Sequence, residues 1–236
     1  MNRIIKALSK IFYPQRCAYC GKVISAGELM CDECRVNLPR ISGEICARCG
    51  REKSECSCKK AEKFYSGIVA PFYFSGNVRK GIHAFKFRNC PDNAEAYGHE
   101  MSEVVKKKYA DIKFDYITEV PVSPNSLKER GYNQCSLLAE QISKNTGIEF
   151  KSNVLVKIYE TNKQHGLKLF MRKGNLSGVF DVKNPQEVEN KTILLCDDIS
   201  TSGETLNECA KMLWLYGAKE IYCVSVALTQ KKNDIH

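Results

Sequence analysis

The stretch KTILLCDDISTSGET, residues 191–205, leaves few folds open to the rest of the chain. It begins with an unbroken apolar run, Ile193, Leu194, Leu195 and Cys196, the pattern of a strand buried on both faces. Asp197 and Asp198 follow, then small hydroxyl residues around Gly203. Leu206, Cys209, Met212, Leu213 and Leu215 come next at helical spacing. Strand, acidic pair, glycine loop and helix, in that order, place an anion site at the carboxyl end of a strand in a parallel α/β sheet. The backbone N–H groups of Ser202, Gly203, Glu204 and Thr205, with the hydroxyls of Thr201, Ser202 and Thr205, suit a phosphate at a helix start. Gly203 lets the backbone come close. Asp197 and Asp198 are placed to meet ribose hydroxyls or a hydrated Mg2+. The bland alternative is a strand, a turn and a helix with the acids in solvent. Two acids, three hydroxyls and a glycine in this order argue against it.

The segment resembles the phosphoribosyl-pyrophosphate (PRPP) signature of type I phosphoribosyltransferases, in which an apolar run and two acids precede a T-T-G-x-T loop. Here the loop reads T-S-G-E-T, and Ser202 keeps a hydroxyl where threonine is usual.

Of thirteen cysteines, eight lie between Cys17 and Cys58. Cys17-x2-Cys20 and Cys31-x2-Cys34 are two pairs across a short hairpin, with Gly21 suited to the tight turn. Such spacing makes a four-thiolate structural zinc site. Cys46-x2-Cys49, trailed by Gly50, and Cys56-x-Cys58 form a second set with a less usual C-x-C pair. The reading is one or two structural Zn2+ ions, paired sequentially in preference to a RING-like interleaving, in a reducing compartment. Four thiolates leave no open position for water, so the module folds and does not catalyse. Two such sites would lower the formal charge of +9 to about +5. Arg35, Arg40, Arg48, Arg51 and Lys53 in this module serve nucleic-acid contact or plain solubility.

Residues 1–13 read as a basic amphipathic helix that packs on its own protein or lies on a membrane surface. No run approaches the roughly 18 apolar residues of a transmembrane segment. Residues 64–74 read as a strand or hairpin broken at Gly67 and Pro71. Residues 78–90 carry Ile82, Phe85 and Lys86 on helical spacing, with Lys86 and Arg88 able to reach an anionic substrate. Residues 94–109 read as a helix, and 115–122 as the first strand of the α/β core. The loop SPNSLKERGYNQ then brings Lys128, Arg130 and Gly131 to a strand-to-helix handover, where two cations can grip pyrophosphate. Residues 154–172 are expected as a flexible hood carrying Lys157, Lys163 and Arg172 to the phosphates. Residues 180–182 and 221–228 read as further core strands. The expected architecture is a cysteine module over 1–60 and a type I phosphoribosyltransferase-like domain over 61–236. The latter is a parallel sheet of about five strands flanked by helices, opened by a linking and hood stretch over 61–112.

The cysteine pairs, the V-P-V run with R-G-Y-N-Q, and the D-D-I-x-T-S-G-x-T loop together resemble the ComF family of competence proteins. Gln164, Leu167, Arg172, Asn175 and Phe180, and Lys86 between phenylalanines, also match family features, while His165-Gly166 departs from them. The resemblance implies that Thr201, Ser202, Gly203, Glu204, Thr205, Lys86 and Arg172 bind PRPP with Mg2+. It implies catalytic roles for Asp197, Asp198, Lys128 and Arg130. It implies partners in single-stranded DNA, a DNA-uptake helicase or other competence proteins. The location it implies is cytoplasmic, with the inner membrane face as the peripheral alternative. Purine-salvage relatives carry an acid at the position of Thr201, so ordinary purine transfer is not expected. Three readings stay open: DNA handling in natural transformation, phosphoribosyl transfer to an unknown acceptor, and PRPP binding without turnover.

Overall fold

A computed structural model describes residues 14–56, 58, 62–158 and 179–230. The amphipathic start and residues 159–172 of the expected hood, Lys163 and Arg172 included, lie outside the described residues, while Lys157 is described and sits over the Phe180 ring. The fold centres on strand β6 (Thr192–Ser200), which pairs in parallel with β7 (Glu220–Leu228) on one side and β3 (Tyr116–Glu119) on the other. Strands β1 (Gly67–Val69) and β2 (Phe72–Tyr73) line the far edge of β7, both parallel to it. Residues 64–74 are therefore no hairpin but one edge interrupted at Pro71. A parallel sheet of five strands results, with two short strands ahead of β3 in sequence.

Ile193, Leu194, Leu195 and Cys196 have no exposed surface, because the sheet is covered on both faces. Alternation sends Leu194 and Cys196 toward helices α2 (Gly76–Phe87), α3 (Asn93–Lys108) and α5 (Gln134–Thr146). Ile193 and Leu195 face helix α6 (Glu204–Leu215).

Two expectations are corrected. The segment Pro124–Arg130 is a short helix, α4, and not a loop. The signals were present: Ser123 caps the N–H of Ser126 at 3.0 Å, Pro124 opens the first turn, and Gly131 closes it at φ 78°. The second concerns Phe180–Val182. As β5 it pairs antiparallel with β4 (Leu155–Lys157) in a separate ribbon, outside the parallel sheet. Its apolar residues pack beside α6, so burial is satisfied without a place in the main sheet.

The cysteine segments fold into two small turns, with Cys31 leading into the six-residue helix α1 (Asp32–Asn37). They join the same core as the sheet. Tyr19 is edge-on to Phe72 and Tyr97, at 5.5 and 5.3 Å between ring centroids, and Tyr97 donates to the Ala18 carbonyl at 2.7 Å. Arg40 forks onto Glu100 of α3 at 2.7 and 3.0 Å. No helix among the described residues is long and apolar enough to cross a membrane.

Candidate functional site

The two sets of thiols are gathered as sequential groups, Cys17, Cys20, Cys31 and Cys34 in one and Cys46, Cys49, Cys56 and Cys58 in the other, each with all sulfurs within 4.8 Å of one another. Cys20 and Cys31 lie 3.6 Å apart, Cys49 and Cys56 3.8 Å, and Cys46 and Cys58 4.0 Å. A tetrahedron with Zn–S bonds of about 2.3 Å has edges of about 3.8 Å, so both groups fit one ion each. In each, a glycine after the C-x2-C pair closes the turn: Gly21 N–H reaches the Cys17 carbonyl at 2.9 Å, and Gly50 reaches that of Cys46 at 2.8 Å. Both glycines have positive φ.

Strand β6 runs through the acids to Ser200, so Asp197 and Asp198 belong to the strand and diverge to opposite faces. Asp198 turns toward α2, where the Lys86 ammonium lies 2.8 Å from its carboxylate. Asp197 accepts from the N–H of Asp198 at 2.8 Å and from the Cys135 thiol at 3.6 Å. Burial, reinforced by the neighbouring Asp198 charge, pushes the Asp197 carboxyl up to about 7.

The loop after the strand exposes Thr201, Ser202, Glu204 and Thr205 around a buried Gly203 at φ 77°. A Cβ added to Gly203 would stand 3.3 Å from the Tyr65 hydroxyl and 3.5 Å from the Lys63 ammonium. Lys63 is thus a cation at the loop that sequence reasoning did not single out. Its neighbour Phe64 is tied to α6 by its N–H on Asn207 Oδ1 at 3.0 Å. No spacing rule links residue 63 to residue 203; only the tertiary fold does.

Helix α4 brings Lys128 and Arg130 to the same cavity as Lys86 and Arg88, about 550 Å3 in volume. The Arg130 guanidinium lies 5.1 Å over the ring of Phe87, itself exposed, and its Nε is buried with no hydrogen-bond partner among the described residues. A buried, unpaired guanidinium N–H is a poor resting state and a ready donor to an anion. Lys86, Lys128 and Arg130 therefore share one cavity, and Lys86 links it to Asp198; Arg172 lies outside the described residues. Arg88 also lines a second cavity, about 740 Å3, with Arg79, Lys80 and His83 of α2 and Arg16 beside the first cysteine turn. Gln134, the last residue of the R-G-Y-N-Q run, is fully buried with neither end of its amide partnered among the described residues.

Residues 8–63 match the model of a double zinc ribbon domain, and residues 132–234 that of a phosphoribosyl transferase domain. Competence protein F of Haemophilus influenzae is 29% identical over 89% of this chain and 95% of its own. Competence protein ComFC of Bacillus subtilis is 27% identical over 81% of this chain and 80% of its own. DNA utilization protein YhgH of Escherichia coli K12 is 25% identical over 88% of each.

Proposed function

The chain belongs to the ComF family of competence proteins, and from that premise we propose that it binds PRPP with Mg2+ and single-stranded DNA during natural transformation. The observation that supports the PRPP half is the pair of Lys86 with Asp198, the latter on the strand that runs into the phosphate loop, beside Lys128 and an Arg130 whose buried Nε has no hydrogen-bond partner among the described residues. In this reading the N–H groups and hydroxyls from Thr201 to Thr205 take the 5-phosphate, with Lys63 adding positive charge. Asp198 and Asp197 take the ribose hydroxyls and position Mg2+. Mg2+ would neutralise phosphate charge, as a hard cation does. Lys128 and Arg130 would hold the pyrophosphate, and Lys86 would turn to it from Asp198 when the acid meets the ligand. If transfer occurs, the carboxylates favour the positive charge that develops on the ribose.

Thr201 favours a second reading, in which PRPP is bound and not turned over, because no carboxylate stands there to serve an acceptor nitrogen. The DNA half rests on the two basic cavities that share Arg88, with exposed Phe87 lining the first as an aromatic surface for a base. Fluorescence anisotropy of a labelled single strand on the full chain, across a salt series and with or without Mg2+–PRPP, tests both halves. Tight binding that falls with salt and is displaced by PRPP is expected. No strand binding alongside measurable PRPP affinity would remove the DNA role. No PRPP binding would remove the ligand reading.

A further inference from the structure

We infer that Arg51 couples the second four-cysteine site to the phosphate loop, so that metal held at Cys46, Cys49, Cys56 and Cys58 keeps residues 201–205 in their ligand-ready shape. The consequence for PRPP rests on the proposed function; the coupling itself does not.

Arg51 is rooted in the metal turn. It follows Cys49 and Gly50, and its carbonyl accepts the Cys46 N–H at 2.8 Å. The turn is pressed onto the sheet: a Cβ added to Gly50 would lie 2.7 Å from the Ile68 carbonyl oxygen of β1 and 2.9 Å from the Leu228 side chain. From this anchor the guanidinium spans to the other end of the site. Its Nε donates to the Thr229 carbonyl at 2.6 Å, and its Nη2 donates to the Thr201 carbonyl at 2.7 Å and meets the Thr229 hydroxyl at 3.3 Å. The Thr229 hydroxyl also reaches the Thr201 carbonyl, at 3.2 Å, and the Thr229 N–H holds the Ser200 carbonyl, at 3.2 Å. One planar fork therefore ties the first residue of the phosphate loop to the residue beyond β7. Its hydrogen-bond partners are the Thr229 carbonyl and hydroxyl and the Thr201 carbonyl, which makes Arg51 a positioning residue in this inference.

The direction of the coupling follows from the thiols. Four sulfurs within 4.8 Å are held together as thiolates only when an ion neutralises them. Without the ion the turn that fixes the Arg51 backbone is free to open, and the fork leaves Thr201. Linkage requires the reverse: a ligand that holds the loop in place holds the ion more tightly by the same factor. The second group is also the more accessible, with Cys58 exposed, whereas Cys17 and Cys34 of the first are buried.

The experiment uses the full zinc-loaded protein. Amide hydrogen exchange over residues 200–206 is compared in wild type, R51A, R51K and wild type from which a chelator has taken one equivalent of zinc. Calorimetry measures Mg2+–PRPP binding to each. A colorimetric chelator records zinc release with and without PRPP. Faster exchange in the loop is expected in R51A and in the protein lacking one zinc, with R51K intermediate because an ammonium lacks the fork. PRPP affinity should fall about 5–10-fold in R51A, and PRPP should slow release of the first zinc to leave by a similar factor in wild type and not in R51A. Unchanged loop exchange in both R51A and the protein lacking one zinc overturns the inference. If wild type binds no PRPP while its loop exchange still depends on Arg51 and zinc, the coupling stands and the PRPP reading falls. A merely structural role for Arg51 would lower the melting temperature of R51A without abolishing the effect of PRPP on zinc release, and that result also overturns the inference.

Discussion

Asp197 is held in a place where its charge is unwelcome. Its carboxyl is pushed up to about 7 by burial and by Asp198, against 3.8 for the free side chain. The unfolded chain thus gives up this proton at a lower pH than the folded one. Between those values stability falls as pH rises, and above about 7 the penalty is complete and constant. Asp197→Asn should therefore gain most at pH 8 and little at pH 4, which urea unfolding at the two pH values would measure. No gain at pH 8 would mean that the carboxylate is paid for by a partner outside the described residues. Asp198, one residue on, differs only in the face it reaches, and there it finds the ammonium of Lys86. The sequence made the two acids look equivalent; the pleat of the strand separates them.

Helix α2 joins the two halves of the molecule. Val78, Ile82 and Phe85 are buried on one stripe, and Lys86, one position beyond, is left at the stripe's edge where it meets Asp198. On the same helix Gly81 passes under the first cysteine turn, and an added Cβ would lie 2.4 Å from the Ala18 carbonyl oxygen and 2.5 Å from the Tyr97 hydroxyl. Alanine is the better helix former by about 1 kcal/mol. Overpacking against backbone costs about 1–3 kcal/mol, and here it should win. Gly81→Ala is expected to lower stability and speed zinc loss from the first site, measured by thermal melting with a zinc indicator. A more stable variant would show that the turn rides loosely on the helix. Glycine in a helix is visible in the sequence; the carbonyl that demands it is not.

Across the whole molecule, the cysteine module and the sheet are welded. Arg40 forks onto Glu100, which is buried to within 8% of its surface, and stacks over Phe72. Breaking a fully buried pair from one side costs about 3–5 kcal/mol. Arg40 is partly open to solvent, so Arg40→Ala is expected to cost about 2 kcal/mol. It should lower the melting temperature, measured by thermal unfolding of wild type and variant; an unchanged melting temperature would show that the pair adds nothing to stability.

By itself the sequence determined the pieces whose chemistry is local. Buried strand, acidic pair and glycine loop follow from contiguous residues, and metal grouping follows from spacings of two or three that bring sulfurs within reach of one ion. The parallel sheet followed too, because an apolar run without alternation needs cover on both faces. The tertiary structure alone decided what depends on distant partners. It set Phe180–Val182 in a side ribbon, because apolar residues fix burial and not the neighbour that supplies it. It also brought Lys63 to Gly203 and Arg51 to Thr201, pairs separated by more than a hundred residues. No periodicity records such contacts, since they arise only when the strands have closed into a sheet and their ends lie side by side.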